Sequence, residues 1–376
     1  MSRLASGPHR RSYSFTVPAT DDPGRRDAQA RTARLLRLQA AACRELGSVL
    51  YGDLLLHTAD DLEWDGPTAR VLAGYLDDRL ASGLALRLLG GVHAQVLSGG
   101  APALAAFYPS TGGTPEQATG SPRTWAAFRQ ALAEHPADVR SWLGHPPQTN
   151  EVGRAAALLG GLRHIAAEAS LPIRLVEVGA SAGLNLRADW FCVPGPAGSY
   201  GDPRSAVVLA DGWQGDAPPD SRIEVVERVG GDIAPVDPLT EDGSLRLTAY
   251  VWPDQLDRLQ RLRGALRVAA QVPAELRTEP ASATLARTTL RDGTWTVLWH
   301  SIFRQYLNEA ERAELAIGVA ELGAAATPRA RFAYLYFEQS RAGGCRVTLT
   351  TWPGEHRRVL GSAPAHGLPV RWRVSG

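Results

Sequence analysis

The chain has 376 residues, 44% hydrophobic and 21% charged, with a formal net charge of +1; this is ordinary for a globular protein and long enough for two domains. Balanced charge supplies no field to draw in nucleic acid or acidic lipid, so neither is expected as a partner. All 40 basic residues are arginine, and without a lysine there is no pyridoxal phosphate aldimine, no Schiff-base aldolase and no Walker A loop.

Residues 1–28 mix Pro8, Pro18, Pro23, Gly7 and Gly24 with the pairs Arg10-Arg11 and Arg25-Arg26, which predicts a disordered basic tail. From 29 to 168 the period is helical. Leu35, Leu36, Leu38, Ala42 and Leu46 recur near every 3.6 residues, and further helices are expected at Thr68–Leu80, Leu84–Leu97, Arg123–His135 and Asn150–Ala169. This part is expected to form a helical N-terminal domain or cap. The period changes at residue 169. Ile173–Val178, Ile223–Val229 and Trp295–Trp299 are apolar runs suited to buried parallel strands, with a short strand expected at Leu276–Glu279. Leu245–Val251 is expected to be extended, Pro253–Ala270 helical, and Ser301 to cap a following helix. Phe332–Phe337, Arg346–Thr351, Arg357–Leu360 and Val370–Arg373 suit closing antiparallel strands. The fold class is therefore α/β: a Rossmann-like sheet over 169–376, with a parallel core and antiparallel C-terminal strands, behind a helical region.

The most informative segment is Leu175-Val176-Glu177-Val178-Gly179-Ala180-Ser181-Ala182-Gly183-Leu184. An apolar strand ends in a glycine turn, as where a parallel sheet cradles a nucleotide-type ligand. Asp232, after Val229-Gly230-Gly231, suits the acid expected at the end of the next strand, with 190–222 as an intervening insertion. Glu177, Gly179, Ala180, Ser181, Gly183 and Asp232 are thus candidate cofactor-binding residues. The same turn reads as Gly-x-Ser-x-Gly, with Ser181 as a hydrolase nucleophile served by Asp232 or Asp237 and His300, His356 or His366. Only helices precede it, however, and no oxyanion loop lies upstream.

His300 ends a predicted strand and is the candidate general base; Gln305 and Tyr306 follow one turn on. The polar cluster Gln148-Thr149-Asn150-Glu151 either caps a helix or folds over the ligand mouth. Tyr51, His93 and Tyr108 are candidate substrate contacts against the commoner role of core residues with a satisfied polar tip. Trp252 and Asp254 fit a helix cap with a hydrophobic anchor. Cys43, Cys192 and Cys345 are too far apart for a redox or zinc motif, and the nine histidines lack ligand spacing. A reducing cytoplasm and no metal are therefore expected, and no membrane-length apolar run occurs.

The strand–glycine–helix unit with Glu177 and Asp232 resembles class I S-adenosylmethionine-dependent methyltransferases. In its entirety the chain looks like the mainly actinobacterial family called domain of unknown function 2332. That likeness rests on Gly47-Ser48-Val49-Leu50-Tyr51, Tyr108-Pro109-Ser110, Gln148 to Arg154, Glu177 to Leu186, Asp232 to Asp237, Tyr250 to Gln255, His300-Ser301, Gln305-Tyr306-Leu307 and Thr351-Trp352-Pro353-Gly354. The methyltransferase resemblance implies that Glu177 lies close to a bound cofactor and Glu279 near its adenine. It departs from the family's acid-x-Gly-x-Gly-x-Gly pattern at Ser181, where the middle glycine is expected. The function implied is methyl transfer to a small molecule, with the cofactor S-adenosylmethionine. The alternatives are a repurposed, non-catalytic ligand-binding protein and a serine hydrolase using Ser181.

Overall fold

The computed structural model describes residues 23–373, apart from 77, 79–81, 114–121, 196–197 and 342. The expected tail up to residue 22 lies outside the described residues, while helix α1 (Pro23–Glu45) already begins at Pro23. Proline at the first helical position forfeits only an N–H that no helix can satisfy. α1 buries Ala33, Leu36, Ala40 and Cys43 on one face, against α2 (Val49–Glu63). α3 (Pro67–Leu72) is shorter than the expected Thr68–Leu80 because Ala73 turns to ψ 126° and Gly74 to φ +86°. α4 (Leu84–Leu97), α5 (Pro102–Ala105), α6 (Pro122–Glu134) and α7 (Pro136–Leu143) complete the helical layer. Its core joins Leu36, Leu54, Leu55, Leu88, Leu89, Phe128 and Leu132 with Trp252, which arrives from the other half of the chain.

Behind this layer α8 (Ala155–Glu168) leads into β1 (Ile173–Val178), and a 3-10 helix (Leu184–Trp190) follows the glycine turn. The small hairpin β2 (Val193–Gly195) and β3 (Gly198–Tyr200) and the strand β4 (Trp213–Gly215) lie within the insertion. Then come β5 (Val225–Asp232), α9 (Glu241–Ala249), α10 (Leu256–Ala269), β6 (Glu275–Thr278), α11 (Ala281–Arg287) and β7 (Thr294–Ser301). The chain closes with α12 (Glu309–Ala325), β8 (Ala330–Gln339), β9 (Cys345–Trp352), β10 (His356–Ala363) and β11 (Val370–Trp372).

Two local expectations are corrected. Leu245–Val251 is not extended: Thr240 caps α9 by accepting from Gly243, and Glu241 and Asp242 favour its first turn. Ser301 caps nothing, because α12 starts later with a reciprocal box between Asn308 and Glu311.

The sheet runs β4-β11-β10-β9-β8-β7-β1-β5-β6. From β6 to β8 all neighbours are parallel, β9, β10 and β11 alternate antiparallel, and β4 lies parallel to β11. Strand residues alternate between faces. On one face Ile173, Leu175, Trp295, Val297, Trp299, Leu335 and Phe337 pack with α8 and α10. On the other, Val176, Val178, Leu298 and Phe332 pack with Leu285, Leu315, Val319 and Leu322 of α11 and α12.

Helical layer and sheet are tied together. Asp254 accepts Ser48 Oγ at 2.8 Å and Leu50 N at 3.2 Å, while Ser48 itself caps α2 by accepting Tyr51 N. Trp252 and Asp254 therefore serve the helical layer rather than α10, whose N-cap Gln255 makes no side-chain cap bond.

Candidate active site at the carboxyl edge of the sheet

β1 is central, and its two parallel neighbours lead away in opposite directions, β5 to β6 and β7 to β8. The carboxyl end of such a strand is a topological switch point, where a crevice forms in open α/β sheets. Here the turn 179–183 leaves β1. Gly179 and Gly183 take φ +68° and +61°, and a Cβ on either would run into Phe303 or Leu276 respectively. Ser181 adopts φ +52° although it has a Cβ, a conformation costing about 1–2 kcal/mol for a non-glycine residue. Polar contacts hold it there. Asp232 Oδ2 accepts Ser181 N at 2.8 Å and Oδ1 accepts Ala234 N at 2.9 Å, and Ser181 Oγ donates to Gln148 Oε1 at 3.0 Å. Gly179 N and Ala180 N both donate to Gly231 O.

The cluster 148–151 does fold over this turn. Besides receiving the Ser181 hydroxyl, Gln148 donates to Ala234 O at 3.1 Å. Asn150 Oδ1 caps Leu184 N at 2.7 Å, and Asn185 donates to Glu151 O at 3.2 Å. The side-chain cap on the following 3-10 turn (Val152–Arg154) is Glu151, which accepts from Gly153 N at 3.1 Å.

Glu177 is 2% exposed, and its Oε2 has no partner among the described residues. Burial pushes its carboxyl up to about 8, the nearby Asp232 adds to the rise, and the Trp299 indole across the register opposes it. A buried polar atom without a partner costs roughly 1–3 kcal/mol, so it is a natural place for a ligand donor. Glu279 instead accepts Thr284 Oγ1 at 3.1 Å and pairs with Arg287 at 3.2 Å, holding α11.

His300 lies elsewhere. Alternation sends Glu177 and Trp299 to one face and Leu298 and His300 to the other. The imidazole is fully buried, with Nδ1 2.8 Å from Glu338 Oε1 and Nε2 2.7 Å from Tyr334 Oη, and it stacks on Tyr336 at 5.6 Å. The same Glu338 oxygen accepts Phe303 N and Arg304 N. Burial alone would raise the Glu338 carboxyl; these donors hold it below its usual value. Both ring nitrogens are engaged, by Glu338 and Tyr334, and Ser181 has Gln148 rather than a histidine as its hydroxyl partner. Gln305 and Tyr306 are exposed, with Tyr306 at 72%.

Of the helical-layer candidates, His93 is structural: Nδ1 lies 3.0 Å from Ala249 O and Nε2 2.9 Å from Ser110 Oγ, both ring nitrogens buried. Tyr108 packs behind Tyr51, its buried hydroxyl unpartnered. Tyr51 lines a cavity of about 200 Å³ between the helical layer and the sheet edge, together with Glu151, Arg154, Tyr250, Trp252, Arg258 and His366. Of these, Arg154, Tyr250 and Arg258 were not nominated from sequence as site residues, and His366 only as a possible histidine of the hydrolase reading. Arg258 Nε donates to Glu151 Oε2 at 2.6 Å. Burial would raise the Glu151 carboxyl, but Arg258, His366 and Arg154 outweigh it and its pKa falls. Burial lowers His366 to about 4, leaving a neutral imidazole at pH 7. Arg154 donates to Ser301 O at the end of β7 and to Ala365 O, so it belongs to both the cavity and the sheet edge.

Among the described residues no group of three or more His, Cys, Asp or Glu is placed to hold a metal ion, and no helix is long and apolar enough to cross a membrane. The three cysteines are free and buried.

These features define an α/β protein whose mostly parallel sheet presents a strapped glycine turn, beside a charged cavity, to a layer of helices. The chain belongs to the bacterial family described as "Uncharacterized protein conserved in bacteria (DUF2332)", whose model matches residues 33–372. No curated protein and no solved structure matches it.

Proposed function

We propose that this protein is an S-adenosylmethionine-dependent methyltransferase acting on a small molecule. The observation that carries the reading is the hydrogen bond from Ser181 N to Asp232 Oδ2, which joins the glycine turn after β1 to the acid ending β5. Those are the two halves of a nucleoside cradle at a switch point. The residues fit such a ligand. A carboxylate offers about four acceptor sites, so Asp232, with one backbone N–H on each oxygen, keeps capacity for two ribose hydroxyls. Glu177 Oε2 supplies a polar oxygen without a partner among the described residues at the strand end. When bound, the cofactor supplies a methyl group on a sulfonium. The chain's own part is positioning, which accounts for much of the rate in such a transfer. Gln148 and Asn150 strap the turn, and the helical layer roofs the edge and excludes water.

Calorimetric titration with S-adenosylmethionine and S-adenosylhomocysteine, repeated on Asp232→Ala, tests this. Micromolar binding of either ligand, weakened at least tenfold in the variant, is expected. A folded wild type that binds neither ligand would sink the reading and move the weight to a non-catalytic role for the fold.

A further inference from the structure

The cavity beside the turn has an unbalanced lining. Among the described residues its lining holds one carboxylate, Glu151, set against two guanidiniums, Arg154 and Arg258. Arg258 is committed to Glu151 and also donates to Gln255 Oε1. Arg154 has only neutral carbonyl partners, at 3.1 and 3.2 Å through Nε and Nη1, which leaves Nη2 without a partner among the described residues. One positive charge is thus left over in a place partly removed from water, where an uncompensated ion is costly.

A second, independent observation is Tyr51. It is 1% exposed and lines the same cavity, and its hydroxyl has no hydrogen-bond partner among the described residues. Buried hydroxyls without partners are rare in native proteins. Burial raises the Tyr51 pKa well above its ordinary value, so at neutral pH the group is a donor. A guanidinium bonded only to backbone carbonyls and a buried hydroxyl, lining one small space, suit an anion that accepts two hydrogen bonds.

The rest of the wall is aromatic and apolar: Trp252, Tyr250, Leu86 and, at the exposed rim, Leu46. Trp252 sits edge-on to His366 at 6.3 Å, and Arg258 lies 5.9 Å over its ring. Flat walls of this kind favour a ring. The volume of about 200 Å³ is below the common range for drug-sized ligands, about 300–1,000 Å³, and suits a compact one.

We propose that this cavity binds a small aromatic acid with a single carboxylate, held by Arg154 and the Tyr51 hydroxyl. This binding does not rest on the methyltransferase reading. Bidentate pairing with a guanidinium is the strongest way to hold a carboxylate. Arg154 also donates to Ser301 O at the end of β7, and Glu151 O receives Asn185 just beyond the glycine turn, so the acid would sit near the carboxyl edge of the sheet.

The test is calorimetric titration of the full chain with benzoate and phenylacetate, and with benzylamine and benzamide as cationic and neutral counterparts of the same shape, on wild type and Tyr51→Phe. Tyr51→Phe removes an unbonded oxygen, so its melting temperature is expected to equal or exceed that of the wild type. At least one acid is expected to bind the wild type, neither the amine nor the amide to compete, and Tyr51→Phe to weaken the acid tenfold or more. Equal binding of benzylamine, no binding of either acid, or acid binding that Tyr51→Phe leaves unchanged would each overturn the assignment. Adenosyl-ligand binding without acid binding overturns this inference and spares the methyltransferase reading. Acid binding without adenosyl-ligand binding does the reverse.

Discussion

Two polar networks sit near the carboxyl end of the sheet, on opposite sides of it, and they are built differently. On the α12 face, His300, Glu338 and Tyr334 form a closed set. Glu338 takes the imidazole and two backbone N–H groups, and the second imidazole nitrogen meets the Tyr334 hydroxyl. On the other side, Glu177 and Tyr51 each keep a buried oxygen without a partner among the described residues, and the half-buried Arg154 bonds only backbone carbonyls there. Satisfied buried networks fix a structure; unsatisfied ones cost stability unless something fills them. The difference separates groups that hold the sheet edge together from groups whose polar atoms remain open, and it runs against the ranking that residue type alone suggests.

The sharpest way to break this contrast is Glu338→Ala. It strips one acceptor from three donors and is expected to cost about 3–5 kcal/mol in denaturant unfolding, while leaving affinity for S-adenosylhomocysteine unchanged in the folded fraction. A loss below 1 kcal/mol, or a collapse of affinity, would show that the closed network is part of the site.

Arg258→Met comes next. It leaves Glu151, 6% exposed, without its close cation, with an expected loss of about 3 kcal/mol, the lower end of the range because Arg154 stays near. Glu151→Gln in the same chain should recover part of the loss. If the double variant is no better than the single, the pair is not coupled as described.

Glu177 gives a pH signature. Its folded pKa, about 8, lies above its ordinary 4.5. Between those values the folded chain keeps a proton that the unfolded chain has released. Its contribution is therefore full below 4.5 and is lost as pH rises through 8. Glu177→Gln cannot titrate, so its stability relative to wild type should climb steadily from pH 5 to 8.5, at about 1.4 kcal/mol per unit at most. A difference that stays flat over that window would mean the carboxyl is solvated or paired.

The smallest effect is expected at Ser181→Gly. Relief of the φ +52° backbone is offset by the lost bond to Gln148 and by the entropy of a new glycine. Stability should stay within about 1 kcal/mol of wild type. A drop above 2 kcal/mol would place the turn among the closed networks.

Much of this fold could be read from periodicity. The parallel strands around Ile173–Val178, Val225–Val229 and Trp295–Trp299, and the antiparallel strands after residue 330, stand where alternation and apolar runs put them. The region over 241–249 was misread because its leucines fit a strand as well as a helix, and only the Thr240 cap decides between them. Near the turn, the polarity of Gln148–Glu151 marked a segment that packs on it, and Asp232 ends β5 where its place after an apolar run put it, although its spacing from Gly179 is long. Sequence shows that His300 ends a strand but not which face it takes; one step of alternation separates it from Glu177. Arg154 and Arg258 were hidden among 40 arginines. Nothing local marks a guanidinium whose partners lie 107 to 211 positions away.

The tie between Asp254 and Ser48 bears on how the molecule comes into being. Helices α1 to α7 leave the ribosome first, yet the carboxylate that holds the α2 cap residue Ser48 and the Trp252 side chain in their core belong to residues more than 200 positions later than Ser48. A nascent chain of helices alone would carry a gap where the indole belongs and a Ser48 cap without its Asp254 partner. Final packing of the first third of the protein therefore waits on synthesis past residue 254, and that long-range dependence slows folding and leaves apolar surface exposed meanwhile.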